Sequence, residues 1–171
     1  AGARVTLISG PVHLSTPDRV TRIDVESANE MQQATNAHIE DADVFIGVAA
    51  VADYRPAEIS PEKIKKTDDV LQLKLVKNPD IISEVAALKS RPLVVGFAAE
   101  TSDIVKNGRQ KLQEKNLDLL FANKATDTFN SETIAVTAIS PDEERELPAA
   151  NKHVVARNML QLIADQLNRS P

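Results

Sequence analysis

The run PLVVGFA, Pro92–Ala98, decides the fold. It is apolar without interruption, is rich in β-branched valine, and is of strand rather than helix length. A strand with one wet face alternates apolar and polar residues. A continuous apolar run of this length instead suits a strand covered on both faces, as in a parallel sheet. Two more runs of the same kind lie on either side of it, DVFIGV at Asp43–Val48 and LDLLFA at Leu117–Ala122.

Helical patterns separate these strands. Ser27 opens S-A-N-E, a capping box with Glu30 three residues on, and predicts a helix to about Asp41. Asn78-Pro79-Asp80 predicts a helix from about Pro79 to Leu88, with Asn as N-cap and Pro at the first helical position. Ser102–Lys115 reads as a helix despite Gly108. Asn151–Asn168 reads as a closing amphipathic helix with Val154, Val155, Met159, Leu162, Ile163 and Leu167 near one face. Further strands are expected at Arg4–Ser9, before the Gly10-Pro11 turn, and at Val20–Val25. Val70–Val76 alternates like a strand with one wet face, and Thr133–Ile139 with Arg145–Leu147 reads as a hairpin. Strands alternating with helices predict a doubly wound, mostly parallel, Rossmann-like α/β sheet. A small β appendage is expected to serve dimerisation, because the Val70–Val76 strand exposes an edge and the hairpin is placed to contribute. The 171 residues fit one domain.

Composition narrows the function. Apolar residues make up 42% of the chain, enough for a real core. The net charge of -5 leaves no global basic field for nucleic acid or an anionic membrane, so any anion site must be local. Aromatic residues are only 3%, few for a single-strand stacking platform. There is no Cys, which excludes disulfides and thiolate metal sites and suits a reducing cytoplasm. No apolar run approaches the ~20 residues of a membrane span, and the N-terminus lacks a basic-then-apolar leader.

Doubly wound sheets bind ligands beyond the carboxyl ends of their strands. Three segments leave strands at that edge: GVAAVADYRP, GFAAETS and FANKATD. The first two share Gly, Ala-Ala and then an acid, and small residues there let backbone approach a ligand. After the first come Lys63, Lys65 and Lys66, cations able to neutralise a triphosphate or simply to form a solvated loop. Asp53 suits a ribose, a nucleobase or Mg²⁺, and equally a turn cap. The helix start at Asn78-Pro79-Asp80 offers free N–H groups to phosphate. Lys111 and Lys115, four apart, share one helix face. Phe97, at a strand end, reads as core or ligand wall. His13, His38 and His153 are not spaced for a metal. The sequence carries no nucleophile elbow, zincin motif or Walker A motif. The dinucleotide fingerprint and a Tyr-x-x-x-Lys pair are also missing, which counts against a Rossmann oxidoreductase.

In order along the chain, AAVADYRP with EKIKK, KLVKNPDII, VVGFAAET and KNLDLLFAN resemble the bacterial phosphopantothenate–cysteine ligases. These form the synthetase half of the bifunctional coenzyme A biosynthesis protein, a multifunctional enzyme whose other half is a flavin-dependent decarboxylase. The resemblance covers nearly the whole chain from about Val5. It implies a cytoplasmic, homodimeric ligase using CTP and Mg²⁺, with FMN only where a decarboxylase domain is fused upstream. It also implies the reaction, which joins 4′-phosphopantothenate to L-cysteine through an acyl-cytidylate, releasing pyrophosphate and then CMP. By the same resemblance the CTP site comprises Gly47, Ala49, Ala50, Asp53, Lys63, Asn78, Pro79, Asp80, Ile81, Ile82, Phe97, Lys111 and Lys115. Lys63 acts in the second half-reaction, and Lys65 and Lys66 are further phosphate or substrate contacts.

The pattern departs from the family before Ala1, where a first strand, a glycine-rich loop and a loop Asn are expected. A chain taken literally from Ala1 is therefore expected to bind CTP weakly and turn over poorly. For such a chain the rival reading is a non-catalytic nucleotide-binding α/β module. The segments between Lys66 and Val70 and between Asn123 and Phe129 are also shorter than the family pattern.

Overall fold

The computed structural model describes residues 2–64, 70–124 and 131–169. The chain divides into two compact units. One comprises Ala1–Ala37 and Ala49–Asp80, and the other His38–Val48 and Ile81–Pro171.

The second unit is built on a five-stranded sheet. Its strands are β3 (Val44–Gly47), β6 (Leu93–Glu100), β7 (Leu119–Lys124), β8 (Thr133–Ile139) and β9 (Glu144–Asn151), side by side in that order. β3, β6 and β7 run parallel, while β8 and β9 are antiparallel. The continuous apolar runs are explained by cover on both faces. On one face Val94, Ala98, Leu120, Ala122 and Ile139 pack with Val85 and Ala86 of α2 (Ile81–Ala86) and Leu112 of α3 (Ile104–Glu114). On the other, Leu93, Val95, Leu119, Phe121, Val136, Ala138 and Leu147 pack with Val155 and Ile163 of α4 (Lys152–Arg169). Neighbours along β6 and β7 sort to opposite cores, as the two-residue period of a strand requires. The expected α/β fold, with helices on both faces of its sheet, is therefore present.

Gly108 sits inside α3 for a packing reason. A Cβ there would lie 2.5 Å from Ile139 Cδ1, so glycine lets the helix approach β8 without displacing that buried side chain. At the amino ends of β6 and β7, Asp118 ties the sheet together. Its carboxylate accepts from Arg91 Nη1 at 2.6 Å and Nη2 at 2.7 Å, and from the buried Val94 N–H at 2.7 Å.

The first unit holds a parallel pair, β1 (Val5–Ser9) with β2 (Val20–Asp24), an antiparallel pair, β4 (Tyr54–Pro56) with β5 (Leu75–Lys77), and α1 (Ala28–His38). The capping box is formed. The Glu30 N–H donates to Ser27 Oγ at 3.2 Å, and Glu30 Oε2 accepts the Glu26 N–H at 2.9 Å. This backbone donor, together with the Ser27 hydroxyl, holds the Glu30 carboxyl below its ordinary pKa.

Some expectations are corrected. The Val70–Val76 strand is reduced to Leu75–Lys77, paired with Tyr54–Pro56. Val70, Leu71 and Leu73 are 61–74% exposed, so among the described residues no layer gives their alternation a face to follow. The helix predicted from Pro79 starts at Ile81, and the one predicted to Asp41 ends at His38. The 133–147 hairpin is not an appendage, since β8 pairs with β7 and extends the central sheet. On α4, Val155 and Ile163 are buried as expected, but Val154 and Leu167 are exposed because only the stripe facing β8 and β9 meets the core.

Candidate functional site

In the second unit the carboxyl ends of β3 and β6 carry small residues. Gly47 and Gly96 are register partners. A Cβ on Gly47 would lie 3.0 Å from Ile82 Cδ1, and one on Gly96 would lie 2.8 Å from Leu117 Cδ1. A side chain at either position would push on these neighbours, and Gly47 and Ile82 are brought together directly. Ile81 is buried at the start of α2. Phe97 faces the α4 core, with its ring centroid 5.4 Å from that of Phe121, and is only partly buried.

Lys111 lies on the opposite face of the sheet from Phe97. α3 turns back from β6 after Thr101–Asp103, with Asp103 in the left-handed region at φ 47°. A helical side chain leans toward its helix N-terminus. Lys111 therefore reaches back toward the strand end, where its Nζ donates to Glu100 Oε1 at 3.0 Å. Asn107, one turn earlier on the same face, donates to the Ser102 carbonyl at 2.9 Å. Lys115 closes the helix, its N–H donating to the Lys111 carbonyl. Glu100 was visible in the sequence only as an acid following Ala-Ala. Its pairing with Lys111 depends on how α3 folds back.

In the first unit, Asn78 and the segment ending at Asp53 are brought together. The Asn78 N–H donates to the Asp53 carbonyl at 2.8 Å, and Asn78 Nδ2 to the Ala52 carbonyl at 2.8 Å. Arg55 Nη1 donates to Asn78 Oδ1 at 3.1 Å and to the Lys77 carbonyl at 2.6 Å. The Asn78 side chain is thus engaged with this loop rather than capping α2, which begins three residues later. Arg55 went unnoticed in the sequence, where it reads as an ordinary loop cation before a proline. The Asp53 side chain is exposed, as are Ala49, Ala50 and Lys63, while Pro79 is partly buried and Asp80 immediately precedes α2. Lys65 and Lys66 lie outside the described residues.

Among the described residues no three acidic or histidine side chains gather to hold a metal. The exposed Asp53 suits a cation that arrives with phosphate oxygens and keeps its own waters, the usual habit of Mg²⁺. No helix among the described residues is long and apolar enough to cross a membrane.

The family described as "DNA/pantothenate metabolism flavoprotein C-terminal domain" matches residues 1–167. The chain belongs to this family. It is 49% identical over 178 residues to the coenzyme A biosynthesis bifunctional protein CoaBC of Escherichia coli strain K12, covering 98% of this chain and 44% of that protein. It is also 49% identical to CoaBC of Vibrio vulnificus strain YJ016, covering 95% of this chain and 42% of that one. The chain thus spans less than half the length of these relatives. A crystal structure of the C-terminal domain of CoaBC superposes with a TM-score of 0.81 at 37% identity, covering 98% of this chain and 76% of that one.

Proposed function

We propose that this chain is the phosphopantothenate–cysteine ligase domain of a cytoplasmic, bifunctional coenzyme A biosynthesis protein. The observation that carries the reading is the family match over residues 1–167, together with likeness to CoaBC relatives whose names place them in that pathway. The partner domain would be a flavoprotein decarboxylase holding FMN. The residues 1–171 would act as one synthetase domain despite comprising two compact units.

The substrates are CTP, 4′-phosphopantothenate and L-cysteine. A carboxylate oxygen of phosphopantothenate attacks the α-phosphorus of CTP, and the bond to the bridging oxygen breaks, releasing pyrophosphate. The cysteine amine then attacks the acyl carbon of the cytidylate, CMP leaves with the bonding electrons, and the nitrogen loses a proton. Neither step needs a protein nucleophile. Both need charge neutralisation and alignment, which lysines and backbone N–H groups provide. Lys111 and Lys115 would neutralise the triphosphate, and Asp53 would meet its Mg²⁺. Gly47, Ala49, Ala50, Phe97 and the Asn78–Ile82 segment would line the nucleotide, and Lys63 would act on the acyl-cytidylate. Lys65 and Lys66 are proposed as further phosphate contacts.

Pyrophosphate release is the test. With 4′-phosphopantothenate present, the full-length protein is expected to release pyrophosphate from CTP but not from ATP. Absence of release in the presence of CTP would overturn the ligase reading and leave a nucleotide-binding module.

A homodimer is proposed as well. Its support is the β4–β5 ribbon, where Tyr54 and Leu75 are each 53% exposed on a two-stranded sheet whose outer edges can pair. Sedimentation velocity is expected to give a dimer, and a monomer at micromolar concentration would count against it.

A further inference from the structure

We infer that Glu100 is a positioning residue for nucleotide binding, fixing the Lys111 ammonium at the carboxyl end of β6. The inference rests on the reading of Lys111 as a triphosphate contact and assigns a role to a side chain outside the proposed contact set.

Glu100 ends the row Val94, Gly96, Ala98 on the α3-facing side of β6, and is the only charged member of that row. In the parallel register it stands beside Lys124 of β7. Lys111 approaches from α3 and donates to it at 3.0 Å. Asn107 Nδ2 reaches its other oxygen at 3.4 Å while held by the Ser102 carbonyl. Both side-chain donors to the acid, Asn107 and Lys111, thus come from α3, one turn apart.

Exposure separates the roles of the pair. The Glu100 side chain is 16% exposed and that of Lys111 41%. The carboxylate is the sheltered anchor and the ammonium the accessible partner. An ammonium has three donors, and the bond to Glu100 uses one, leaving the others for phosphate oxygens. A free lysine stem samples many rotamers, and ordering it on ligand arrival weakens binding. With the anchor in place, that ordering precedes the ligand. Leu112 and Ile104 pack α3 against the core independently of this pair.

The test is steady-state kinetics and CTP titration on the full-length protein carrying Glu100→Gln, Lys111→Gln or both. Glu100→Gln is expected to raise the KM for CTP about fivefold with kcat nearly unchanged, and to leave the KM values for cysteine and phosphopantothenate alone. The double variant is expected to be no worse than Lys111→Gln, because Glu100 acts only through that lysine. Glu100→Asp, which keeps the charge on a shorter stem, is expected to fall between. An unchanged CTP KM in Glu100→Gln, while Lys111→Gln is impaired, overturns the positioning role and leaves the nucleotide reading intact. So do two losses that multiply in full. If Lys111→Gln itself binds CTP normally, the nucleotide reading of Lys111 fails and this role fails with it.

Discussion

Replacing Lys63 with Gln is expected to let acyl-cytidylate accumulate while amide formation falls about a hundredfold, the usual scale for removing one charge-stabilising group at a reacting centre. The two half-reactions place charge differently. In the first, charge grows on the pyrophosphate leaving group, where Mg²⁺, Lys111 and Lys115 are the proposed neutralising groups. In the second, pyrophosphate has gone and the charge develops on departing CMP and on the acyl oxygen. Lys63 is exposed on the loop after Asp53, free of the packed framework, and is the proposed cation for that step. Gln keeps much of the stem and a donor but lacks the charge, so loss of attraction is separated from loss of shape. Quenched reactions with radiolabelled CTP would show the intermediate rising as amide falls. Wild-type amide yield in the variant would remove Lys63 from the second step. A parallel loss of both steps would instead make it a general nucleotide contact.

What the sequence conveyed depended on how local each cause is. The buried strands were legible because cover on both faces removes the need for polar positions, and the two cores confirm that cover. The capping box was legible because both partners lie within one turn. Gly108 was read only as a weakness of its helix. Its reason is Ile139, distant in sequence and adjacent only once β8 joins the sheet. Asn78 was misread because two uses of one side chain compete. An N-cap is the local choice, yet Ala52 and Arg55 fold back onto Asn78 and take its amide. The alternation of Val70–Val76 satisfied the strand pattern, but a pattern specifies a strand only where a layer covers one face. At the proposed site, spacing showed only that Lys111 and Lys115 share a helix face, and the family resemblance supplied their role, whereas Glu100 and Arg55 emerge only from tertiary contacts. Arg91 and Asp118 were passed over for the same reason, as ordinary charges at strand starts.

That last pair carries the largest expected effect on stability. Asp118→Ala is expected to destabilise the fold by about 3 kcal/mol, because it strands both a guanidinium and a buried amide. Three donors converge on this carboxylate, two from Arg91 and one from the Val94 N–H. The side chains of Arg91 and Asp118 are 26% and 23% exposed, so water can reach the guanidinium more readily than it can reach the amide of Val94, which is 0% exposed. Asp118→Asn keeps an acceptor for that amide and loses the charge, so it should cost less, about 1–2 kcal/mol. Arg91→Ala should be milder still, because the carboxylate keeps the Val94 N–H and gains water. Urea unfolding of the three variants checks the order. A loss within about 0.5 kcal/mol for Asp118→Ala, the range of an ordinary surface substitution, would make the pair ornamental. CTP affinity should be unchanged in whatever fraction remains folded. The pair sits at the amino ends of β6 and β7, and Lys111 with Glu100 sits at the carboxyl end of β6, so one sheet separates the contacts that hold it together from those proposed to hold its ligand.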